Sequence, residues 1–197
     1  MIFIKHRVNK IRDLKKLNKE YGVEIDIRSN GKNLYLHHDP YKKGESFIKW
    51  LRYYNHNVIV LNVKEEGLED QIIKILKKRN IKNFFFHDQT FSTMLKNMNN
   101  TNVSIRYSEF EDLKKMNFLF KKIKWLWIDN FTKIEIKKKF FHYLKKKKVK
   151  ICLVSPELIS MNRKREIKKL HSYLKKNRLI PDAICTKKPL IWKKLIT

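Results

Sequence analysis

Gly22-Val-Glu-Ile-Asp-Ile-Arg-Ser-Asn-Gly-Lys-Asn-Leu-Tyr-Leu-His-His-Asp39 reads as two β-strands joined by an Asn30-Gly31 turn. Side chains alternate faces along a strand, so Glu24 and Asp26 share one face, roughly 6–7 Å apart. A carboxylate pair at that spacing suits a hard cation such as Mg²⁺ or Ca²⁺. The return strand, Leu34-Tyr-Leu36, delivers His37, His38 and Asp39 near the level of the acids. A strict two-residue turn pairs Glu24 with His37 and puts that imidazole on the acid face. A bulge near the strand end would bring His38 there instead.

Working outward, Met1-Ile-Phe-Ile-Lys-His-Arg7 is a short strand whose residues 2, 4 and 6 face one way, leaving His6 and Arg7 at its carboxyl end. Further apolar runs at Val58–Lys64, Phe84–Asp88, Val103–Tyr107, Trp125–Asp129, Lys150–Ser155 and Ala183–Thr186 bring the expected strands to eight. Helix-length segments separate them. Ile72, Ile73 and Leu76 repeat with the helical period in 69–79, as do Ile167, Leu170 and Leu174 in 166–177. Eight βα units without a composition break predict an α/β fold, a compact (β/α)8 TIM barrel over residues 1–197 as one domain. The hairpin after strand 2 is then an elaborated βα loop. In such a barrel the functional groups gather at the carboxyl ends of the strands, where His6, Lys64, Asp88, Arg106, Asp129 and Ser155 all fall. Lys64 ends the apolar run Val58-Ile-Val-Leu61 and shares a face with Asn62. A lysine closing a buried strand needs an anionic partner, either a protein carboxylate or a bound phosphate.

Hydrophobic residues make up 42% of the 197, enough for a packed core. No apolar run is long enough to cross a bilayer and no signal peptide is visible, so the expectation is a cytoplasmic protein. Cys152 and Cys185 lie in apolar strands, which fits a reducing compartment better than a disulfide framework. The formal charge of +28 invites a nucleic-acid reading. However, 38 of the 47 basic residues are lysine, and runs such as 145–148 fall at a helix end where solvated lysines are ordinary. No RNP-like or Gly-rich motif is present, so no specific nucleic acid is expected. Peripheral attraction to anionic surfaces follows from the charge alone. P-loop, dinucleotide, zinc-spaced and Gly-x-Ser-x-Gly patterns are absent, which disfavours kinases, dehydrogenases, zinc hydrolases and serine hydrolases.

In their order and spacing, His6-Arg7, Glu24-Ile-Asp26, His38-Asp39 and Asn62-Val-Lys64 resemble the glycerophosphodiester phosphodiesterases, within the phospholipase-C-like phosphodiesterase barrels. Ile184-Cys-Thr186 before Pro189 is similar to that family's last strand. The resemblance implies a metal-dependent phosphoric diester hydrolase acting on a small glycerol- or sugar-linked phosphodiester, with a place in lipid metabolism. It assigns His6 and His38 as general base and acid without deciding which is which. Arg7 and Lys64 would hold the phosphate, and Glu24, Asp26 and Asn62 the divalent cation, Mg²⁺ or Ca²⁺. The His-Asp-Pro match favours His38 over His37. Three departures stand out: the glycine usual after His-Arg is Val8, the Pro-Glu-Asn-Thr-like segment that usually follows is missing, and the third metal carboxylate is replaced by Asn62. Sliding the register by two would instead set Lys64 on that carboxylate position and Glu66 on the lysine position. The rival expectation is a non-catalytic barrel that binds anionic polymers or membrane surfaces through its lysines.

Overall fold

The computed structural model describes residues 1–99, 101–111, 114–132 and 136–196, and of 114–117 the backbone only. All eight expected strands form. The parallel strands are β1 (Ile2–Lys5), β2 (Gly22–Asn30), β5 (Ile59–Val63), β6 (Phe84–His87), β7 (Ser104–Tyr107), β8 (Trp125–Ile128), β9 (Lys150–Val154) and β10 (Ala183–Thr186). The elaboration after β2 consists of β3 (Asn33–Leu36) and the short β4 (Glu45–Ser46), both antiparallel.

The chain divides into two compact units. The first, residues 1–5 and 104–197, holds β7, β8, β9, β10 and β1 paired in that order. β8 and β10 are buried along their whole length and β9 beyond Lys150, and helices such as Lys138–Lys146 and Glu166–Asn177 turn one apolar side inward. Glu166–Asn177 buries Ile167, Leu170 and Leu174 and stops at Arg178, whose φ of +54° is the left-handed conformation that ends many helices. The lysines of these helices mostly face solvent, as the charge runs predict.

The second unit, residues 6–103, pairs β4, β3, β2, β5 and β6 in that order. All of β5 is buried, as expected of Val58-Ile-Val-Leu61. Phe47 and Trp50, both fully buried, lie in helix Phe47–Leu51, and the Trp50 indole N–H donates to the Val8 carbonyl at 2.9 Å. That bond ties the segment following His6 and Arg7 to the core of the unit.

The hairpin register differs from the expectation. Ile27 pairs with Leu36 and Asn30 with Asn33, so the turn residues are Gly31-Lys32 and not Asn30-Gly31. Gly31 takes the first central position at φ +61°, where a side chain would be strained. The change of two leaves each side chain on its face but takes Glu24 out of line with His37. Because β3 ends at Leu36, both histidines lie beyond the ladder.

Candidate active site

Six of the seven expected site residues meet at the carboxyl ends of strands in the second unit. Glu24 and Asp26 sit inside it, 1% and 0% exposed. The chain leaving β1 turns at Arg7, whose positive φ of +55° is rare for a side chain with a Cβ. In that turn the Arg7 backbone N–H donates to Glu24 Oε2 at 2.8 Å, and His6 Nε2 lies 3.7 Å from the same oxygen. The other oxygen, Glu24 Oε1, accepts from the Asn62 amide at 3.1 Å.

Asp26 is the second hub. Its Oδ1 lies 3.3 Å from Lys64 Nζ and its Oδ2 lies 3.8 Å from Arg7 Nε. Asn9 closes a reciprocal pair with it, donating from Nδ2 to Asp26 Oδ2 at 2.8 Å and accepting the Asp26 backbone N–H at 2.9 Å. Lys64 also approaches Asp88 Oδ2 at 3.7 Å, and Asp88 is itself held at φ +64°. Of the two partners open to Lys64, the protein carboxylate is therefore present. Strain at both Arg7 and Asp88 is the kind of backbone cost that persists where side chains must be aimed.

Burial first, and the neighbouring Asp26 charge second, push the Glu24 pKa up to about 7. The Arg7 N–H, the Asn62 amide and the Lys64 charge pull against them. Two buried carboxylates of one strand thus share a site with one guanidinium, one ammonium and one imidazole. Such a site is electrostatically prepared for an anion on its cationic side and for a cation on its acid side.

His38 makes no hydrogen bond or ion pair with these six among the described residues. Its Nδ1 lies 2.7 Å from Asp39 Oδ1, and this hydrogen bond is the main cause holding the Asp39 pKa below its ordinary value. His37 and Arg7 charges act in the same direction, so the hairpin end lies within electrostatic reach of Arg7. An ionised carboxylate only accepts hydrogen bonds, so His38 Nδ1 is the donor and its Nε2 is left for other work. His37 is engaged differently: its Nδ1 accepts the Asp39 backbone N–H at 2.9 Å and so builds the turn.

Several participants carry no sequence signal of the kind used above. Asn9 lies in a loop without periodicity. His87 is buried at the end of β6, in register with Asn62, which in turn pairs with Asp26. Arg28 donates from Nε and Nη2 to the His38 carbonyl at 3.2 and 2.9 Å, and its Nη1 reaches Glu65 Oε1 at 3.4 Å. Glu65 is fixed in turn by the Ser29 N–H at 3.0 Å and hydroxyl at 2.6 Å. Glu66 is exposed and lines a hollow with Glu69 and Asp70. The three other strand-end candidates, Arg106, Asp129 and Ser155 in the first unit, have structural partners. Asp129 pairs with Arg106 at 3.2 Å, and Ser155 donates to Glu157 while accepting the Trp192 indole N–H at 2.8 Å.

Solved structures with the same fold span this chain almost completely. A glycerophosphodiester phosphodiesterase from Thermotoga maritima superposes with a TM-score of 0.73 at 16% identity, covering 99% of this chain and 98% of its own. A phosphodiesterase from Oleispira antarctica, solved with the product sn-glycerol-3-phosphate, matches at a TM-score of 0.68 and 13% identity over 100% of this chain and 96% of its own. A glycerophosphoryl diester phosphodiesterase from Parabacteroides distasonis gives 0.68 and 11% over 99% and 85%. No family model matches the sequence, and no curated protein matches it. These neighbours are TIM barrels, the architecture expected from the eight βα units. Along nearly its whole length, this chain has the α/β fold of the glycerophosphodiester phosphodiesterases, the family its strand-end motifs resemble.

Proposed function

We propose that the protein is a phosphoric diester hydrolase that cleaves a glycerol- or sugar-linked phosphodiester by two-histidine acid-base catalysis. The observation that carries this reading is the convergence of His6, Arg7, Glu24, Asp26, Asn62 and Lys64 through contacts of 2.8–3.8 Å at one set of strand ends. Arg7 and Lys64 supply the positive charge for the phosphoryl oxygens. One imidazole takes the proton of a neighbouring substrate hydroxyl as its oxygen attacks phosphorus, and the other protonates the departing alcohol. A cyclic phosphate results. In the second half the roles reverse, and water opens the ring. His38, with Nδ1–H committed to Asp39, presents Nε2 for this exchange, whereas the Nδ1 of His37 is spent on the turn. Glu24, 3.7 Å from His6 Nε2, is placed to hold the His6 ring.

The donor set fits a hard divalent cation. Glu24 and Asp26 offer carboxylate oxygens, and Asn62 Oδ1 is buried without a hydrogen-bond partner among the described residues. No group of three or more His, Cys, Asp or Glu suited to a metal occurs among the described residues, so the set is two acids and one amide. When bound, such an ion offsets negative charge gathering on the phosphoryl oxygens. Asn62→Asp adds a charged oxygen at nearly constant size and should tighten Mg²⁺ or Ca²⁺ binding roughly tenfold by calorimetric titration. The same variant should lose thermal stability in EDTA, because a third buried acid then faces Glu24 and Asp26 unneutralised. Equal metal affinity in both forms would remove Asn62 from the ligand set.

The direct test of function is release of alcohol from a panel of glycerophosphodiesters with Mg²⁺, Ca²⁺ or EDTA. Hydrolysis of none of them would overturn the proposal. Arg28 gives a further check, since it fixes the His38 carbonyl. Arg28→Met should lower kcat roughly tenfold with KM little changed, because the loss is one of aim rather than of binding. An effect confined to KM would mean that Arg28 acts by binding substrate rather than by aiming His38.

A further inference from the structure

Behind the hairpin end lies a groove of about 1050 Å³ built wholly from the second unit. Arg28, Lys32, Lys42 and Lys43 line it, together with Tyr35 and Tyr41. Its single acid is Glu65, already engaged by Arg28 and Ser29. Lys32, Lys42 and Lys43 have no ion-pair partner among the described residues, so the groove carries unbalanced positive charge.

The groove is shaped by specific backbone choices. A Cβ on Gly44 would fall 2.3 Å from the Leu36 carbonyl oxygen, so only glycine lets the 40–44 loop lie against β3. The Lys32 carbonyl accepts the Gln71 side-chain amide at 2.8 Å, pinning the hairpin tip to helix Glu69–Lys78. Tyr41 holds φ +59° although its side chain is 100% exposed, so no packing within this chain offsets the strain.

The groove lies beside the His38 segment. Arg28 lines it and holds the His38 carbonyl, and Pro40 and Tyr41 follow directly on His38-Asp39. An alcohol leaving from beside His38 would depart along this path.

We propose that the groove receives the leaving-alcohol half of the diester and selects an alcohol that carries a further phosphate, held by Lys32, Lys42 and Lys43. The proposal rests on the phosphodiesterase reading and supplies its substrate class: phosphorylated over neutral or cationic head groups. Multi-phosphate small molecules and glycerophosphate polymers share this chemistry.

A matched pair of substrates tests it. Glycerophosphoinositol and the same compound with one more phosphate on the ring differ only in the charge of the departing alcohol. At low salt the phosphorylated substrate should show a kcat/KM roughly tenfold higher, as two or three surface charge pairs allow. The preference should shrink in 0.5 M salt by screening. Lys42→Glu/Lys43→Glu, at exposed positions outside the catalytic cluster, should abolish the preference while leaving hydrolysis of glycerophosphoinositol unchanged. A polyglycerol phosphate arm identifies the source: faster cleavage of the polymer than of the small phosphorylated substrate assigns the groove to successive phosphates of one chain.

Calorimetry with inositol 1,4-bisphosphate and inositol 1-phosphate reads the groove without any turnover. Tighter binding of the bisphosphate, lost in the double variant, supports the groove even if no diester is hydrolysed, in which case it is the hydrolase reading that falls. Equal treatment of both members of each pair, or equal loss on both substrates in the double variant, would overturn the proposal.

Discussion

His6→Ala and His38→Ala will each lower turnover on a cleaved glycerophosphodiester by roughly 10²–10⁴-fold, the range that one positioned proton-transfer group supplies. Neither change should unfold the protein. His38 is 41% exposed on its side chain and its neighbour Asp39 61%, so truncation there opens no cavity. His6 is 16% exposed, and its partner Glu24 keeps the Arg7 N–H and the Asn62 amide when the imidazole is gone. The measurement is steady-state kinetics beside thermal melting. His37→Ala is the control, since the Nδ1 of His37 accepts the Asp39 N–H and serves the turn. A large loss of kcat in His37→Ala with none in His38→Ala would move the proton-transfer role to His37. Full activity in both His6→Ala and His38→Ala would end the two-histidine mechanism.

The fold was legible wherever burial on both faces wrote itself as an apolar run. Val58-Ile-Val-Leu61 and Trp125-Leu-Trp-Ile128 have no polar alternation because parallel strands covered on both sides leave none. The turn was less legible. Asn30-Gly31 and Gly31-Lys32 both contain a glycine able to take positive φ, and the cross-strand pairs decide between them. In the site, Glu24, Asp26 and Lys64 could be placed from the two-residue period of a strand. Asn9 could not, since a loop amide has no period and its value lies in a two-point fit to Asp26. Arg28 and Glu65 were hidden for a related reason. Their partners are the His38 carbonyl and the Ser29 N–H and hydroxyl, and backbone partners leave no mark in a sequence.

Asp26→Ala will destabilise the protein by about 3–5 kcal/mol, the cost of removing one member of a buried charge pair and leaving the other behind. Asp26 is fully buried and faces Lys64 at 3.3 Å, Arg7 at 3.8 Å and both polar atoms of the Asn9 side chain. Without it, Lys64, only 15% exposed, keeps the Asp88 carboxylate at 3.7 Å. The Asn9 amide loses its acceptor as well. One effect opposes this, because Asp26 also repels Glu24. That repulsion is small at pH 6, a unit below the Glu24 pKa of about 7, where most Glu24 is already protonated. The attractive contacts therefore dominate there, and urea unfolding at pH 6 is the measurement. Asp26→Asn keeps the shape and can still accept from Asn9, so it should lose only about 1–2 kcal/mol, the difference being the charge term. A loss below about 1 kcal/mol in the alanine variant would mean that solvent screens the cluster as it screens a surface pair. Asp26 would then be one acid among several rather than the group around which Arg7, Asn9 and Lys64 are arranged.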